Sequence, residues 1–329
     1  MNIRPVSTRR ALLGLPAALC ATALSSHLGL ARAQSGKPVS FVVPVPAGGG
    51  MDVSARLVGE NVRDALGLVI VENKPGAALR LALQAVRTAA PDGNTLLYTA
   101  VSPFTIYPYI YQKPGYSESD FVPIVPAVAF DFAIGVPASS PITTLAQYLE
   151  AVRRDPERNG LYGVPAAGSA AHFVGAALAS AAGLKMAPVA YRGSAPLMND
   201  LMGGHLAVAT NVLGEFIPHR GKVRVLATTG AARSSLMSDV PTFTELGYPN
   251  LVLGEQFGLF APKGTPPATI NRINGAVQNA VRQPDVQKRL GEMGYTPMPM
   301  TAEAFATKLA ADRAKWGPII AATGFKAEE

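Results

Sequence analysis

Three glycine-bearing turns are the parts of this 329-residue chain best suited to chemistry. Gly48-Gly49-Gly50, Gly168-Ser169-Ala170 and Gly193-Ser194 each follow a predicted strand and begin a predicted helix. Unpaired N–H groups and the helix dipole at such a position favour an anion. On local grounds a tight turn without a ligand explains Gly48–Gly50 equally well. Three such turns together favour a convergent anion site, which open α/β sheets form at the carboxyl ends of their strands.

Other chemistries receive little support from the sequence. The glycine runs match neither Gly-x-Gly-x-x-Gly nor a P-loop, so a nucleotide is not expected. His172, His205 and His219 lack metal-ligand spacing, and we expect no metal and no cofactor. Ser169 and His172 share a helix start, but no serine lies in a Gly-x-Ser-x-Gly elbow. An exported hydrolase is therefore the least favoured alternative, and we expect a protein that is not an enzyme.

The first 33 residues have the composition of an export signal. A basic stretch with Arg9-Arg10 precedes an apolar run at 11–24 and an Ala31-Arg32-Ala33 site. This order predicts a signal peptide that is cleaved after Ala33, by either the Sec or the twin-arginine route. The single cysteine, Cys20, would leave with it, so the mature protein has no thiol for a disulfide or a zinc site. We expect a periplasmic location.

The charge of the chain argues against a polyanionic partner. The 29 basic and 22 acidic residues give a net charge of +7, but four of the basic residues lie before residue 34 and no acidic residue does. The remaining +3 forms no basic patch that would indicate nucleic acid or a membrane surface. With 48% hydrophobic and 16% charged residues, the chain is long enough for one large or two ordinary globular domains.

Alternating strands and helices predict an α/β fold with parallel sheets. The predicted strands are 41–45, 68–72, 95–99, one or two strands within 122–136, 161–164, 187–191, 206–210, 223–228 and 251–260. The predicted helices are 52–66, 77–89, 145–153, 170–182, 195–202, 214–220, 267–282, 284–293 and 302–321. The stretch from Ser102 to Asp120 is predicted to be irregular.

Five segments carry a family resemblance. In chain order they read VPVPAGGGMD at 43–52, VENKPGA at 71–77, APDGNTLL at 90–97, YRGSAP at 191–196 and GLFAPKGTP at 258–266. They resemble the segments VPFPPGGGTD, VENRPGA, APDGYTLL, YKGSAPA and GLFAPAGTP of the Bug family. Its members are extracytoplasmic solute-binding proteins of tripartite tricarboxylate transporters. The resemblance extends over essentially the whole chain after the predicted signal peptide.

This resemblance implies a two-lobed periplasmic-binding-protein fold of the Venus flytrap type, with a mainly parallel sheet flanked by helices in each lobe. We expect residues 34–133 and 258–329 in lobe 1 and residues 134–257 in lobe 2. The implied function is capture of a small organic acid between the lobes for the membrane permease subunits of such a transporter, by a monomer. A sensor subunit of a signalling system, built on the same fold, is the alternative.

The resemblance also implies the ligand-binding positions. These positions lie in the loops after four strands, apart from one inside a strand. They are Ala47, Gly48, Gly49, Met51, Asp52, Ser102, Thr105, Gly168, Ser169, Ala170, His172, Tyr191, Gly193 and Thr210.

Four departures from the family pattern concern the ligand. The usual GTSSHL reads GSAAHF at 168–173, so hydroxyl donors are missing, and Thr210 replaces the aspartate of the usual FDN. The usual PGAGG reads PGAAL at 75–79, and Glu255-Gln256 stands where relatives often carry Ser-Trp. A ligand amine that needed the missing aspartate would lose a partner, and Glu255 could repel a second carboxylate if it faced the cleft. We expect an outward-facing Glu255 and a carboxylate ligand other than a standard di- or tricarboxylate.

Overall fold

The order of strands and helices follows the predicted alternation. The computed structural model describes residues 37–327, and the predicted signal peptide lies outside the described residues. The strands are β1 Val39–Val43, β2 Val69–Asn73, β3 Thr95–Ala100, β4 Phe121–Pro137, β5 Leu161–Val164, β6 Ala187–Ala190, β7 Ala209–Val212, β8 Val223–Thr228, β9 Gly254–Pro262 and β10 Thr296–Pro297.

The helices cover the faces and ends of these strands. They are α1 Gly50–Asn61, α2 Arg63–Leu66, α3 Arg80–Arg87, α4 Ser102–Thr105, α5 Tyr107–Ile110, α6 Leu145–Arg154, α7 Pro156–Asn159, α8 Ala170–Ala182, α9 Ser194–Met202, α10 Leu213–Phe216, α11 Pro267–Val281, α12 Pro284–Glu292 and α13 Ala302–Thr323. Among residues 37–327, no helix combines the length and apolar character that crossing a membrane requires.

The long strand β4 belongs to both sheets. Its first part, Phe121–Asp131, pairs with β9 in a sheet ordered β2-β1-β3-β9-β4. Its second part, Phe132–Pro137, pairs with β7 and with β8, and the sheet continues from β7 to β5 and β6. One continuous strand therefore joins two sheets.

Parallel pairing is confined to the three strands at one end of each sheet, β2-β1-β3 and β7-β5-β6. β1 pairs in parallel with β2 and β3, and β5 pairs in parallel with β6 and β7, as successive strand–helix units require. β4 pairs antiparallel with β7, β8, β9 and β10, and β9 also pairs antiparallel with β3. The expected parallel sheets are thus mixed where the chain passes from one to the other.

The register makes the carboxyl ends of the two sheets face each other. β3 runs in the direction of β4, and its last residue, Ala100, lies opposite Phe257 of β9, which pairs with Val128. β7 runs in the direction opposite to β4, and its last residue, Val212, lies opposite Phe132. The four steps from Val128 to Phe132 span about 13 Å. The ends of β3 and β7 are thus separated by the segments 128–132 of β4 and 254–257 of β9, and we call this region the strand-end gap.

Several element boundaries differ from the sequence prediction. The helix predicted at 52–66 is interrupted at Val62, and Leu251 lies in a 3-10 turn, so β9 begins at Gly254. The helix predicted at 214–220 is α10 followed by a 3-10 turn. The stretch predicted to be irregular contains α4, α5 and a 3-10 turn.

A left-handed backbone delays the start of α3. Ala77, Ala78 and Leu79 have φ angles of 46°, 49° and 70°, and α3 begins at Arg80 instead of Ala77. Arg80 fixes this turn, because its backbone N–H and its Nε both donate to the Ala77 carbonyl, at 3.1 and 2.9 Å. Each left-handed residue with a Cβ costs about 1–2 kcal/mol relative to the ordinary conformations. The turn therefore has the positive φ angles that glycine favours, although alanine and leucine stand where the usual PGAGG segment has glycines.

We predict that Ala78→Gly raises the free energy of unfolding by about 1 kcal/mol, because glycine adopts a positive φ without the Cβ clash. Ala85→Gly in the middle of α3 is the matched control, and it should lower the free energy of unfolding by about 1 kcal/mol. Urea unfolding of both variants measures the difference. A loss of stability in Ala78→Gly as large as in Ala85→Gly would contradict the strain assigned to this turn.

Candidate functional site

The loop between β1 and α1 is built around one left-handed glycine. Gly48 has φ +90°, and Gly49 is the helix N-cap with φ −74° and ψ 161°. The N–H of Gly48 donates to Oδ2 of Asp52, at 2.9 Å, in the first turn of α1. This bond closes the loop against the first turn of α1.

Asp52 holds this loop and has no free acceptor for a ligand. Its side chain is buried, and its two oxygens accept from Gly48, from Asn73 Nδ2 at 2.8 Å and from two nitrogens of Arg56 at 2.9 and 3.0 Å. Burial raises the pKa of Asp52, but the hydrogen bonds from Arg56, Gly48 and Asn73 outweigh it and keep the pKa below its usual value. Asp52 thus positions the loop, and its predicted contact with a ligand stays a prediction.

The loop between β5 and α8 repeats the same geometry with different side chains. Gly168 has φ +73°, and Ser169 is the N-cap with φ −72° and ψ 160°. The N–H of Gly168 donates to Nδ1 of His172, at 3.1 Å, four residues further along as Asp52 is from Gly48. The Ser169 hydroxyl accepts from the His172 N–H at 3.3 Å and donates to the Ala166 carbonyl at 2.8 Å.

His172 is therefore a second positioning residue. It is buried, its ring stacks on Phe173 with 4.6 Å between centroids, and Phe325 meets it edge-on at 5.0 Å. The ring lines a cavity of about 830 Å³ between α8 and α13. Burial lowers the pKa of His172 to about 4, so at neutral pH the ring is uncharged and Nδ1 accepts.

Both loops present N–H groups without an acceptor in the described part of the chain. The first backbone hydrogen bond of α1 runs from Val53 to Gly49, which leaves the N–H groups of Gly49, Gly50 and Met51 unpaired. In α8 the N–H groups of Ala170 and Ala171 are unpaired in the same way. Two helix N-termini of this kind are suited to bind an anion.

The third turn is tied to the second loop and to β7. Gly193, with φ +107°, is the N-cap of α9, and its N–H donates to the Pro165 carbonyl at 2.8 Å. The hydroxyl of Ser194 donates to Oδ1 of Asn211 at 3.2 Å. The hydroxyl of Tyr191 donates to Oδ2 of Asp200, a residue of α9, at 2.9 Å.

Two fully buried side chains near the end of β7 keep unsatisfied polar atoms. These are the Thr210 hydroxyl and the Asn211 Nδ2. Asn211 was not among the predicted contacts, although it lies one residue before the carboxyl end of a strand.

The two residues predicted after β3 occupy different environments. Thr105 is fully buried, and its hydroxyl donates at 3.2 Å to the carbonyl of Val101, the residue before α4. The N–H of Ser102 donates to Oε1 of Glu255 at 2.9 Å. Glu255 is 6% exposed, so the expectation of an outward-facing surface glutamate is wrong. Its position opposite Phe130, in a strand covered on both faces, explains its burial.

Aromatic side chains cover the strand-end gap beside α1. The ring centroids of Phe130 and Phe257 are 4.6 Å apart, and Tyr295 lies 5.7 Å from Phe130 and 5.5 Å from Phe257. The Tyr295 hydroxyl reaches the first residue of α1, where a Cβ atom at Gly50 would overlap it. Glycine is therefore required at this helix start for a close approach. Phe130, Phe257 and Tyr295 were not among the residues predicted from the sequence.

The fold and the facing loops define a class, the two-lobed α/β periplasmic binding proteins. A family model described as "Tripartite tricarboxylate transporter family receptor" (TctC) matches residues 54–325. A Cupriavidus necator protein, "UPF0065 protein in gbd 5'region", is 32% identical over 89% of this chain and 90% of its own. The chain belongs to the TctC family, whose members are solute-binding proteins and not enzymes.

Solved structures agree with this assignment. The periplasmic binding protein BugD is 30% identical, covers 88% of this chain and 99% of its own, and has a TM-score of 0.77. A structure described as "R. palustris Rpa4515 with adipate" is 26% identical, covers 89% of this chain and 99% of its own, and has a TM-score of 0.81.

We predict that His172 makes stability depend on pH. In the unfolded chain a histidine titrates near 6.5, so the folded state with a pKa of about 4 is favoured above pH 6.5 and loses stability as the pH falls toward 4. Between pH 7.5 and 5 the loss from this group is about 2 kcal/mol. His172→Asn keeps an acceptor near Nδ1 but does not titrate, so this part of the pH dependence should vanish.

Unfolding free energies at several pH values measure the effect, with the exposed His205→Asn as the control that retains it. Identical pH slopes for wild type and His172→Asn would contradict the assignment.

Proposed function

We propose that the protein binds a small organic acid between its lobes and delivers it to the membrane permease subunits of a tripartite tricarboxylate-type transporter. The observation that carries this proposal is the pair of matching loops at the starts of α1 and α8. Each has a left-handed glycine that donates to a side chain four residues on, and each leaves helix N-terminal N–H groups without an acceptor. A carboxylate would satisfy both sets of donors at once.

The electrostatics of the loops support an anion. The charge of Asp52 is balanced by Arg56, and His172 is uncharged at neutral pH, so neither positioning residue repels a carboxylate. A related structure holds adipate, which is a carboxylate. Asp52 and His172 act in this proposal through the loops, and the direct contacts come from the backbone at 49–51 and 170–171.

Closure of two lobes about the strand-end gap would bring the loops together. The change of pairing partners on β4 at Asp131/Phe132 supports a first lobe boundary there, close to the predicted residue 133. The second boundary would lie before Gly254, where β9 joins the first sheet, somewhat before the predicted residue 257. We further propose a monomer that is exported to the periplasm and cleaved after Ala33.

A direct test is native mass spectrometry of the purified protein, followed by a thermal-shift screen of organic acids. A bound acid should stabilise the folded state by about 2.7 kcal/mol at a hundredfold excess over its Kd. If no small molecule is released on denaturation and no acid in the screen stabilises the protein, the proposal is wrong.

We predict that Gly49→Thr weakens acid binding at least about tenfold, or about 1.4 kcal/mol, with little change in folding stability. Gly49 has an ordinary φ of −74°, a Cβ there would meet nothing closer than the Pro46 carbonyl at 3.8 Å, and threonine is an acceptable N-cap. Its bulk would stand where a carboxylate approaches the unpaired N–H groups.

Gly221→Thr is the matched control, because a Cβ there also has open space and the position is remote from both loops. Isothermal titration and urea unfolding measure the two effects. Equal losses of affinity and stability in Gly49→Thr would indicate a turn without a ligand.

A further inference from the structure

Glu255 lies in the strand-end gap, on the face that leads to α1. It pairs with Phe130 of β4, and because alternate residues of a strand share a face, its side chain lies on the same face as Phe257. Phe130 and Phe257 both contact Tyr295, whose hydroxyl reaches Gly50 at the start of α1. A continuous surface therefore runs from the unpaired N–H groups of α1, over three aromatic rings, to one carboxyl group.

The residues of this surface are buried but are not completely sealed from solvent. The side chains that line it keep small exposed fractions: Met51 8%, Ser102 8%, Phe130 5%, Glu255 6%, Phe257 7% and Tyr295 9%. Tyr98, which lies beneath them in the core and donates to Ser54, has no exposed surface. The six side chains with exposed fractions thus line the surface, whereas Tyr98 lies behind them and does not.

The carboxyl group of Glu255 forms no ion pair within residues 37–327, although Lys308 and Lys315 border the same cavity and Lys308 pairs with Asp312. The hydrogen-bond partner of Glu255 is Ser102, and no arginine or lysine of that range forms an ion pair with it. Burial, together with the charge of Asp312, raises the pKa of Glu255 to about 7, although the hydrogen bonds from Ser102 lower it. Glu215 of α10 lies near enough to the Tyr295 hydroxyl to raise the pKa of that phenol, and its own pKa is raised by burial and lowered by the nearby His219.

We infer that Glu255 selects the far end of the bound acid. That end carries a hydrogen-bond donor, best supplied by an amine, and does not carry a second carboxylate. This inference rests on the proposed function, because it requires that the first carboxylate binds at the N-terminus of α1. An ammonium group would form a charge-assisted hydrogen bond with Glu255 and offset the cost of its burial. A second carboxylate would place two like charges in a water-poor site, which is unfavourable unless one of them is protonated.

The test compares linear acids of four, five and six carbons whose far end is an ammonium, a methyl or a carboxylate group. Isothermal titration of the full-length mature protein gives the ratio of affinities at each length. We expect the amino acid of the best length to bind at least about tenfold more tightly than the dicarboxylate of the same length. Glu255→Gln, which keeps the size and removes the charge, should reduce that ratio by at least about tenfold.

Glu60→Gln, an exposed glutamate on the outer face of α1, is the control that should leave the ratio unchanged. A wild-type protein that binds the dicarboxylate as tightly as the amino acid overturns the inference even if Glu255→Gln does not fold. A preference that survives Glu255→Gln but disappears in Glu215→Gln also overturns it, because the partner is then Glu215. Binding of the methyl-terminated acids in any of these cases leaves the proposed function standing, whereas no binding of any acid overturns both.

Discussion

Both sheets depend on the hydrogen bonds that they make to a single strand, β4. Because Phe121–Asp131 pairs with β9 and Phe132–Pro137 with β7 and β8, the two halves of the molecule share one continuous strand, in addition to the contacts of Phe325 with His172 and Phe173. The opposed directions of β3 and β7 relative to β4 place their carboxyl ends on the two sides of the strand-end gap. Every loop of the candidate site follows from that arrangement.

At the starts of α1 and α8 the backbone adopts the same conformation, but different side chains hold it. A left-handed glycine directs its N–H back to a side chain in the first helical turn, which is a charged aspartate in α1 and a neutral histidine in α8. Since Arg56 and Asn73 hold Asp52 while aromatic rings hold His172, both acceptors are fixed by their own surroundings. Each helix N-terminus then retains its partial positive charge for an external anion. A site built from backbone donors favours a carboxylate in general, and the side chains of the strand-end gap are left to distinguish one acid from another.

The sequence predicted the alternation of strands and helices well, because periodicity and turn residues are local signals. The helix predicted at 170–182 is α8, with the bounds Ala170–Ala182, and the family motifs indicated the two glycine loops. It could not predict that β4 is shared, because a run of buried residues at 122–136 is equally compatible with one strand or two. It also assigned Ala77–Leu79 to a helix, since alanine and leucine favour helices and nothing local signals three left-handed residues.

Individual side-chain roles depended on contacts between residues far apart in the chain. Asp52 and His172 stand at the helix starts, as predicted, and contacts with the distant residues Asn73 and Phe325 hold them there. Glu255 looked like a surface residue because charged residues usually are, and its contact with Ser102 spans 153 positions. The measurement that tests the account most directly is a crystal structure of the protein with its acid bound. We predict one ligand carboxylate within hydrogen-bonding distance of N–H groups at the starts of both α1 and α8. A ligand held by side chains elsewhere, with both helix starts bound only to water, would contradict the account.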